Sequence, residues 1–233
     1  MPEPRIDRIP RLTVAHALAR AEFERAKQDR LSRVSQDPVA FCVECVWTLD
    51  QITQQVRRFP KEHLDYLAPL IALWQREPLL LIVKSRRMFV TWTFVALHYW
   101  LARFHPATKV AFAARKEGRD ESEGSAELVK RAHFIHEHLP PEIGCEAEYK
   151  FGRLRFPAQD SEIIAIGEGP DQARQHTFTA FFADELGSWP NAYETYVGLK
   201  PTLEGGGRFV GVSTPAPGFF KALVFDQDVG HMY

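Results

Sequence analysis

The chain has 233 residues, 45% of them apolar and 25% charged, which is the composition of an ordinary globular protein and excludes wholesale disorder. Its 29 Lys+Arg against 30 Asp+Glu give a net charge of −1, so an overall basic coat for nucleic acid is excluded while a local basic patch is not. Three cysteines cannot form a disulfide framework, and Cys42-x-x-Cys45 alternates with apolar residues, so both thiols read as buried small hydrophobes of a reducing compartment.

Residues 1–36 are charged, with helix formers from Thr13 to Arg33 and a thin apolar stripe at Leu18, Phe23 and Leu31; they predict an N-terminal helical arm. Residues 37–60 carry Trp and Cys and end at Phe59-Pro60. From Lys61 a helical pattern places Leu64, Leu67, Leu70, Ile71 and Trp74 on one face and closes at Glu77-Pro78. Leu79–Val83 is a continuous aliphatic run, the mark of a strand buried on both faces. The polar loop KSRRMFVT follows, then a helix apolar almost all round to Phe104. Lys109–Ala114 predicts a second buried strand, 121–139 a helix, Glu148–Phe156 and Glu162–Ile166 strands with a turn at Phe151-Gly152-Arg153. Thr177–Ala183 is another buried strand running into Asp184-Glu185, Asn191–Leu199 a short helix, and Arg208–Val212 a strand ending in Ser213-Thr214-Pro215. No apolar run is long enough to cross a bilayer and no signal peptide is visible, which predicts a soluble intracellular protein.

Short buried strands alternating with helices predict an α/β domain with a mainly parallel sheet. Such sheets bind ligands at the carboxyl ends of their strands, where three polar clusters converge: KSRRMFVT, Asp184-Glu185 and Ser213-Thr214. A strand, a cationic loop and a helix opening with Thr is the context of a phosphate cradle. Against the pattern G-x-x-x-x-G-K-[ST], Lys84 and Phe89 stand at the glycine positions, Val90 at the lysine and only Thr91 matches. Yet Lys84, Arg86 and Arg87 put three cations in a loop without an anion, and a carboxylate pair closes an apolar strand 93 residues after Thr91. One carboxylate can hold a metal's water shell and the next can polarise an attacking water.

KSRRMFVTW resembles the deviant Walker A loop of phage terminase large subunits, and FFADELGSWPNAYETYVGLKPTLEGGGRFVGVSTP resembles their Walker B strand, the helix after it and the coupling motif ending in Ser-Thr-Pro. The resemblance runs from about residue 38 to 220. It implies a P-loop NTPase of the ASCE, RecA-like class, a three-layer sandwich with extra N-terminal helices, in which 37–233 is the ATPase domain. It further implies a DNA-packaging ATPase using ATP and Mg²⁺. Carried over by position, residues 84–91 (Lys84, Ser85, Arg86, Arg87, Met88, Phe89, Val90 and Thr91) would form the nucleotide loop, with Lys84 on the β/γ-phosphates and Arg87 near the γ-phosphate. Thr91 and Asp184 would serve Mg²⁺, Glu185 would be the catalytic base, and Ser213 and Thr214 would couple phosphate loss to movement. Arg174, ten residues before Asp184, is either an arginine finger offered to a neighbouring subunit or a solvated loop arginine.

The implied partners are double-stranded DNA, a portal protein and a small terminase subunit, with a homo-oligomeric ring on assembly, a mostly monomeric free domain and host cytoplasm as the location. The family's C-terminal nuclease is expected to be absent from a chain ending at Tyr233, and with it nuclease activity. A helicase-like remodelling ATPase and a non-catalytic module on the same fold are the rival readings. Phe89 at a glycine position predicts either a differently shaped loop or an isolated domain that binds nucleotide poorly, because a bulky side chain resists positive φ. His133, His136 and His138 predict a surface helix ahead of a metal site, and Arg57-Arg58 and Arg115-Lys116 are either DNA-phosphate contacts or solvated charges.

Overall fold

The computed structural model describes residues 11–50, 53–116, 123–174 and 177–225. Two helices lead: α1 (Arg11–Gln36) and α2 (Pro38–Cys45). Asp37 caps α2 by accepting from the backbone N–H groups of Val39 and Ala40, and Pro38 fits the first turn because its missing N–H would be unpaired there anyway. A hairpin of β1 (Trp47–Leu49) and β2 (Val56–Arg58) follows, then α3 (Leu64–Arg76) after a 3-10 turn at Lys61–His63. The main body runs β3 (Leu79–Val83), α4 (Val90–Phe104), β4 (Lys109–Ala114), α5 (Gly124–Glu137), β5 (Glu148–Lys150), β6 (Arg153–Phe156), β7 (Ser161–Gly167), α6 (Pro170–Arg174), β8 (Ala180–Asp184), α7 (Ala192–Glu204), β9 (Arg208–Ser213) and α8 (Phe219–Phe225).

The seven-stranded sheet has the order β3-β9-β8-β4-β7-β6-β5. Its first five strands are parallel, and the β5–β6 hairpin closes one side antiparallel. Alternate residues along each strand feed two separate cores. Val110, Phe112, Phe182, Val210 and Val212 face a core shared with α2, α3, α4 and α5, while Ala111, Ala113, Phe181, Ala183 and Phe209 face α7 and α8. Helices therefore cover both faces, giving the three-layer α/β arrangement. The end of α1 joins the first core: Val34 is fully buried, and the Trp100 indole N–H donates to its carbonyl at 2.7 Å.

Leu79–Val83 meets both cores, Leu80 and Ile82 the first and Leu79 and Leu81 the second, but it is not fully buried. As β3 it forms an edge of the sheet, its residues are only partly covered, and Val83 is 40% exposed. An unbroken aliphatic run records apolarity, not the number of neighbouring strands, and the hydrophobic demand of β3 is met by β9 on one side and by the helical layers. The fully buried helix expected after the loop is α4, with 11 buried residues among its 15. Cys42 and Cys45 are buried, and burial pushes both thiols up, that of Cys45 to about 11, which leaves them unreactive. No helix among the described residues is long and apolar enough to cross a membrane.

Candidate nucleotide site

The carboxyl ends of β3, β9 and β8 lie side by side, with Val83 opposite Ser213 and Val212 opposite Asp184. This register brings the three polar clusters into one place. Above them lies a cleft of about 490 Å³, lined by Lys84, the loop from Arg86 to Phe89, Thr91, Asp184 and Glu185, with Leu49, Asp50 and Arg131 closing it. The volume suits a small-molecule ligand. Helix α4 opens onto this cleft with no side-chain cap, so its first N–H groups and positive dipole end face outward.

Two cross-element contacts define the chemistry. Lys84 Nζ, on a side chain only 8% exposed, donates to Glu185 Oε1 at 2.8 Å. The Thr91 hydroxyl donates to Asp184 Oδ1 at 3.1 Å. The residues of each pair are 101 and 93 positions apart, so only the fold brings them together. Burial pushes the Asp184 carboxyl above its ordinary value, and Glu185 adds to this; Lys84, Arg131 and the Thr91 bond pull the other way without reversing it. For Glu185 burial also acts upward, but the Lys84 ion pair and two hydrogen bonds from Thr214 outweigh it and hold the carboxyl low. Both Thr214 bonds, from N–H and hydroxyl, reach Oε2 at 3.3 Å.

Ser213 ties β9 to both neighbours. Its carbonyl accepts from the Lys84 N–H at 3.0 Å, and its Oγ accepts from the Gly187 N–H at 3.1 Å. Gly187 is required by this close approach, since a Cβ there would lie 2.7 Å from Ser213 Oγ and 2.9 Å from the Ala216 Cβ.

Phe89 does adopt a left-handed backbone, φ 55° and ψ 3°, so the glycine-like turn forms in spite of the side chain. Arg87 at φ 63° and Glu185 at φ 51° do the same on the rim of the cleft. Each such residue costs about 1–2 kcal/mol, held by surrounding structure. For Phe89 that structure is α3 and the turn before it: the ring packs 5.8 Å from the His63 ring, and the Tyr66 hydroxyl donates to the carbonyl of Met88 at 3.2 Å. The bulky side chain thus does not prevent positive φ at this position: packing supplies what glycine's freedom supplies elsewhere.

Ser85, Arg86 and Arg87 are exposed on the loop, Met88 is half-buried beside Phe89, and Val90 is buried at the start of α4, where it also lines the cleft. The backbone of Arg174 closes α6; its side chain lies outside the described residues. His133 stacks on Tyr149 at 4.0 Å and His136 Nδ1 meets the Tyr99 hydroxyl at 2.9 Å, and no metal-holding cluster exists among the described residues. Arg58 lies over the Trp47 ring and donates to the Glu44 carbonyl, and Arg57 reaches Asp50 at 3.7 Å. The sequence reading missed Leu49, Asp50 and Arg131. The first two stand on or beside three-residue strands too short to show periodicity, and Arg131 reads as one more polar-face residue of α5.

No protein-family model matches the chain, and no curated protein matches it in sequence. Solved structures do. The large terminase of bacteriophage HK97 superposes with a TM-score of 0.56 at 12% identity, over 78% of this chain and 38% of the other. The large terminase of a thermophilic bacteriophage, in complex with ADP, gives 0.51 at 14% identity, over 73% and 42%. The ATPase domain of the Thermus phage P74-26 large terminase, in a mutant form, gives 0.47 at 16% identity, over 70% and 71%. The chain thus spans about two fifths of the HK97 protein and of the ADP-bound one. Its fold is the one that the HK97 and ADP-bound large terminases carry, a RecA-like P-loop fold.

Proposed function

We propose that this chain is the ATPase part of a phage DNA-packaging terminase, hydrolysing ATP to move double-stranded DNA into a procapsid in the host cytoplasm. One observation carries the reading: Lys84, Thr91, Asp184 and Glu185 meet in one cleft before an uncapped helix start. The ADP held by the thermophilic-phage neighbour supports a nucleotide as the ligand.

The hard oxygen donors of Thr91 and Asp184, already within hydrogen-bond reach of one another, suit Mg²⁺. Held there, Mg²⁺ would neutralise charge on the terminal phosphates. Lys84 and the α4 N–H groups bind phosphate oxygens, with Arg87 on the loop beside them. Lys84 must leave Glu185 to do so. Glu185 then keeps only its Thr214 bonds, and burial raises its basicity at the moment a substrate is in place. It takes the proton of the attacking water. Loss of the terminal phosphate returns Lys84 to Glu185, and Ser213 and Thr214 carry that exchange into β9. The portal protein and small terminase subunit are the proposed partners, in a homo-oligomeric ring that offers Arg174 to the neighbouring site, with residues 1–36 as an arm on the ATPase domain 37–233.

Calorimetric titration with ATP and Mg²⁺, followed by phosphate-release assays with and without double-stranded DNA, tests the reading. Saturable binding lost in Lys84→Ala supports it. No binding by a folded chain overturns it.

A further inference from the structure

Arg131 belongs to none of the motifs discussed above, yet it is among the most enclosed cations of the cleft. Its side chain is 15% exposed, whereas Arg86 and Arg87 are exposed on the loop. The guanidinium packs over the Trp92 ring, 5.3 Å from its centroid, beside Thr91. Nε and Nη2 both donate to the single oxygen Oε1 of Glu127, Nε at 3.1 Å, and among the described residues Nη1 has no hydrogen-bond partner. Its positive charge acts on Asp184 across the cleft.

We propose that Arg131 is a phosphate-binding residue of the nucleotide site, reaching the terminal phosphate of a nucleoside triphosphate from α5, opposite Lys84, and that Glu127 holds it in readiness. The inference rests on the reading of the cleft given under Proposed function. The planar guanidinium can offer paired donors to phosphate oxygens, a match that an ammonium cannot reproduce. The competing tether is weak, because Arg131 and Glu127 are an i,i+4 pair on one helix and Glu127 is 31% exposed. A dianionic phosphate therefore displaces Glu127. Trp92 keeps the guanidinium aimed while that happens, and α5 becomes a second element that responds to the terminal phosphate.

The test compares ATP with ADP, since only ATP carries the group concerned. Mg-ATP and Mg-ADP affinities are measured by calorimetry on the wild-type chain and on Arg131→Ala, Arg131→Lys, Glu127→Gln and Lys84→Ala, with melting temperatures on the same preparations. Arg131→Ala is expected to weaken ATP binding about 10–100-fold, the range for a lost charged hydrogen bond, and to leave ADP within about 3-fold. Arg131→Lys should recover part of the loss, and Glu127→Gln should tighten ATP slightly without changing ADP. Equal losses for ATP and ADP in Arg131→Ala would overturn the proposal and assign Arg131 to packing on Trp92. An unchanged ATP-to-ADP ratio in Arg131→Ala beside a clear loss in Lys84→Ala overturns the proposal alone. Absence of ATP binding in the wild type, or no effect of Lys84→Ala, overturns the reading of the cleft as well.

Discussion

The two ends of the sheet each carry a charged cleft, of about 490 Å³ at the carboxyl end and about 550 Å³ at the amino end. Size and charge do not separate them. At the amino end Lys109 and Arg153 both reach Glu162, at 3.1 Å and 2.8 Å, from adjacent strands of one sheet. Burial raises the Glu162 carboxyl, and the two cations more than reverse it, so the charges there are already matched. The left-handed residues beside them, Ala107 and Asp160, sit in turns and are small. At the carboxyl end the pairs join a loop, a helix and a strand end, the left-handed residues are Arg87, Phe89 and Glu185, and an uncapped helix start faces the space. A candidate site is marked by this arrangement across elements more than by the size of the hollow.

The comparison breaks first at Glu185. Glu185→Gln should lower ATP turnover by about 10²–10⁴-fold while Mg-ATP affinity stays near wild type, read by phosphate release and calorimetry. Turnover at the wild-type level would remove the chemical distinction between the two ends.

Lys84→Ala should weaken Mg-ATP binding about 10–100-fold, and Arg86→Ala by less, because Lys84 is enclosed and Arg86 exposed. It should also change the acid response. The folded-state pKa of Glu185 is depressed, so its contribution to stability is present above the unfolded value of about 4.3 and is lost as pH falls through the lower folded value. Urea midpoints measured from pH 6 down to pH 3 should fall less steeply in Lys84→Ala than in wild type.

Phe89→Gly sharpens the role of packing. Relief of the left-handed strain, about 1–2 kcal/mol, opposes loss of a half-buried ring whose full truncation would cost about 3–5 kcal/mol. A net loss of about 1–4 kcal/mol is expected, with Mg-ATP affinity equal or higher. A fall in affinity larger than the fall in stability would mean that the ring shapes the cradle directly.

Lys109→Ala gives the smallest effect: about 1 kcal/mol or less in stability and no change in Mg-ATP affinity, since its partner Glu162 keeps Arg153. A change in affinity matching that of Lys84→Ala would merge the two clefts into one functional surface.

Much of this was legible in the residues. The aliphatic runs from Leu79, Lys109 and Arg208 and the one ending at Asp184 marked the parallel strands, because a buried strand needs little but apolarity and a polar end. Thr91, Asp184 and Glu185 were legible as strand-end and helix-start residues. Three things were not. The edge position of β3 depends on strand order, which a single strand does not encode. The left-handed turn at Phe89 depends on His63 and Tyr66, more than 20 residues away. The place of Arg131 depends on α5 lying along α4, where Glu127 and Arg131 otherwise look like any solvated i,i+4 pair. The cap of α2 at Asp37-Pro38 was passed over in the sequence, and the three-residue strands of the hairpin are too short to show a period.

Helix α4 is buried along nearly its whole length, and this has a kinetic meaning. Its inner amides can meet solvent deuterium only when the core it shares with α2, α3 and α5 comes apart, so they should exchange on the timescale of global unfolding. The preceding segment 84–89 is less covered, with Ser85, Arg86 and Arg87 exposed, and is expected to open at lower cost than the helix. A ligand that settles on Thr91 would slow exchange in that segment and leave the helix interior, already at its limit, almost unaltered. The hydroxyl proposed to bind is thus mounted at the start of a buried helix, and on that proposal the give needed for nucleotide entry and exit would fall to the few residues in front of it.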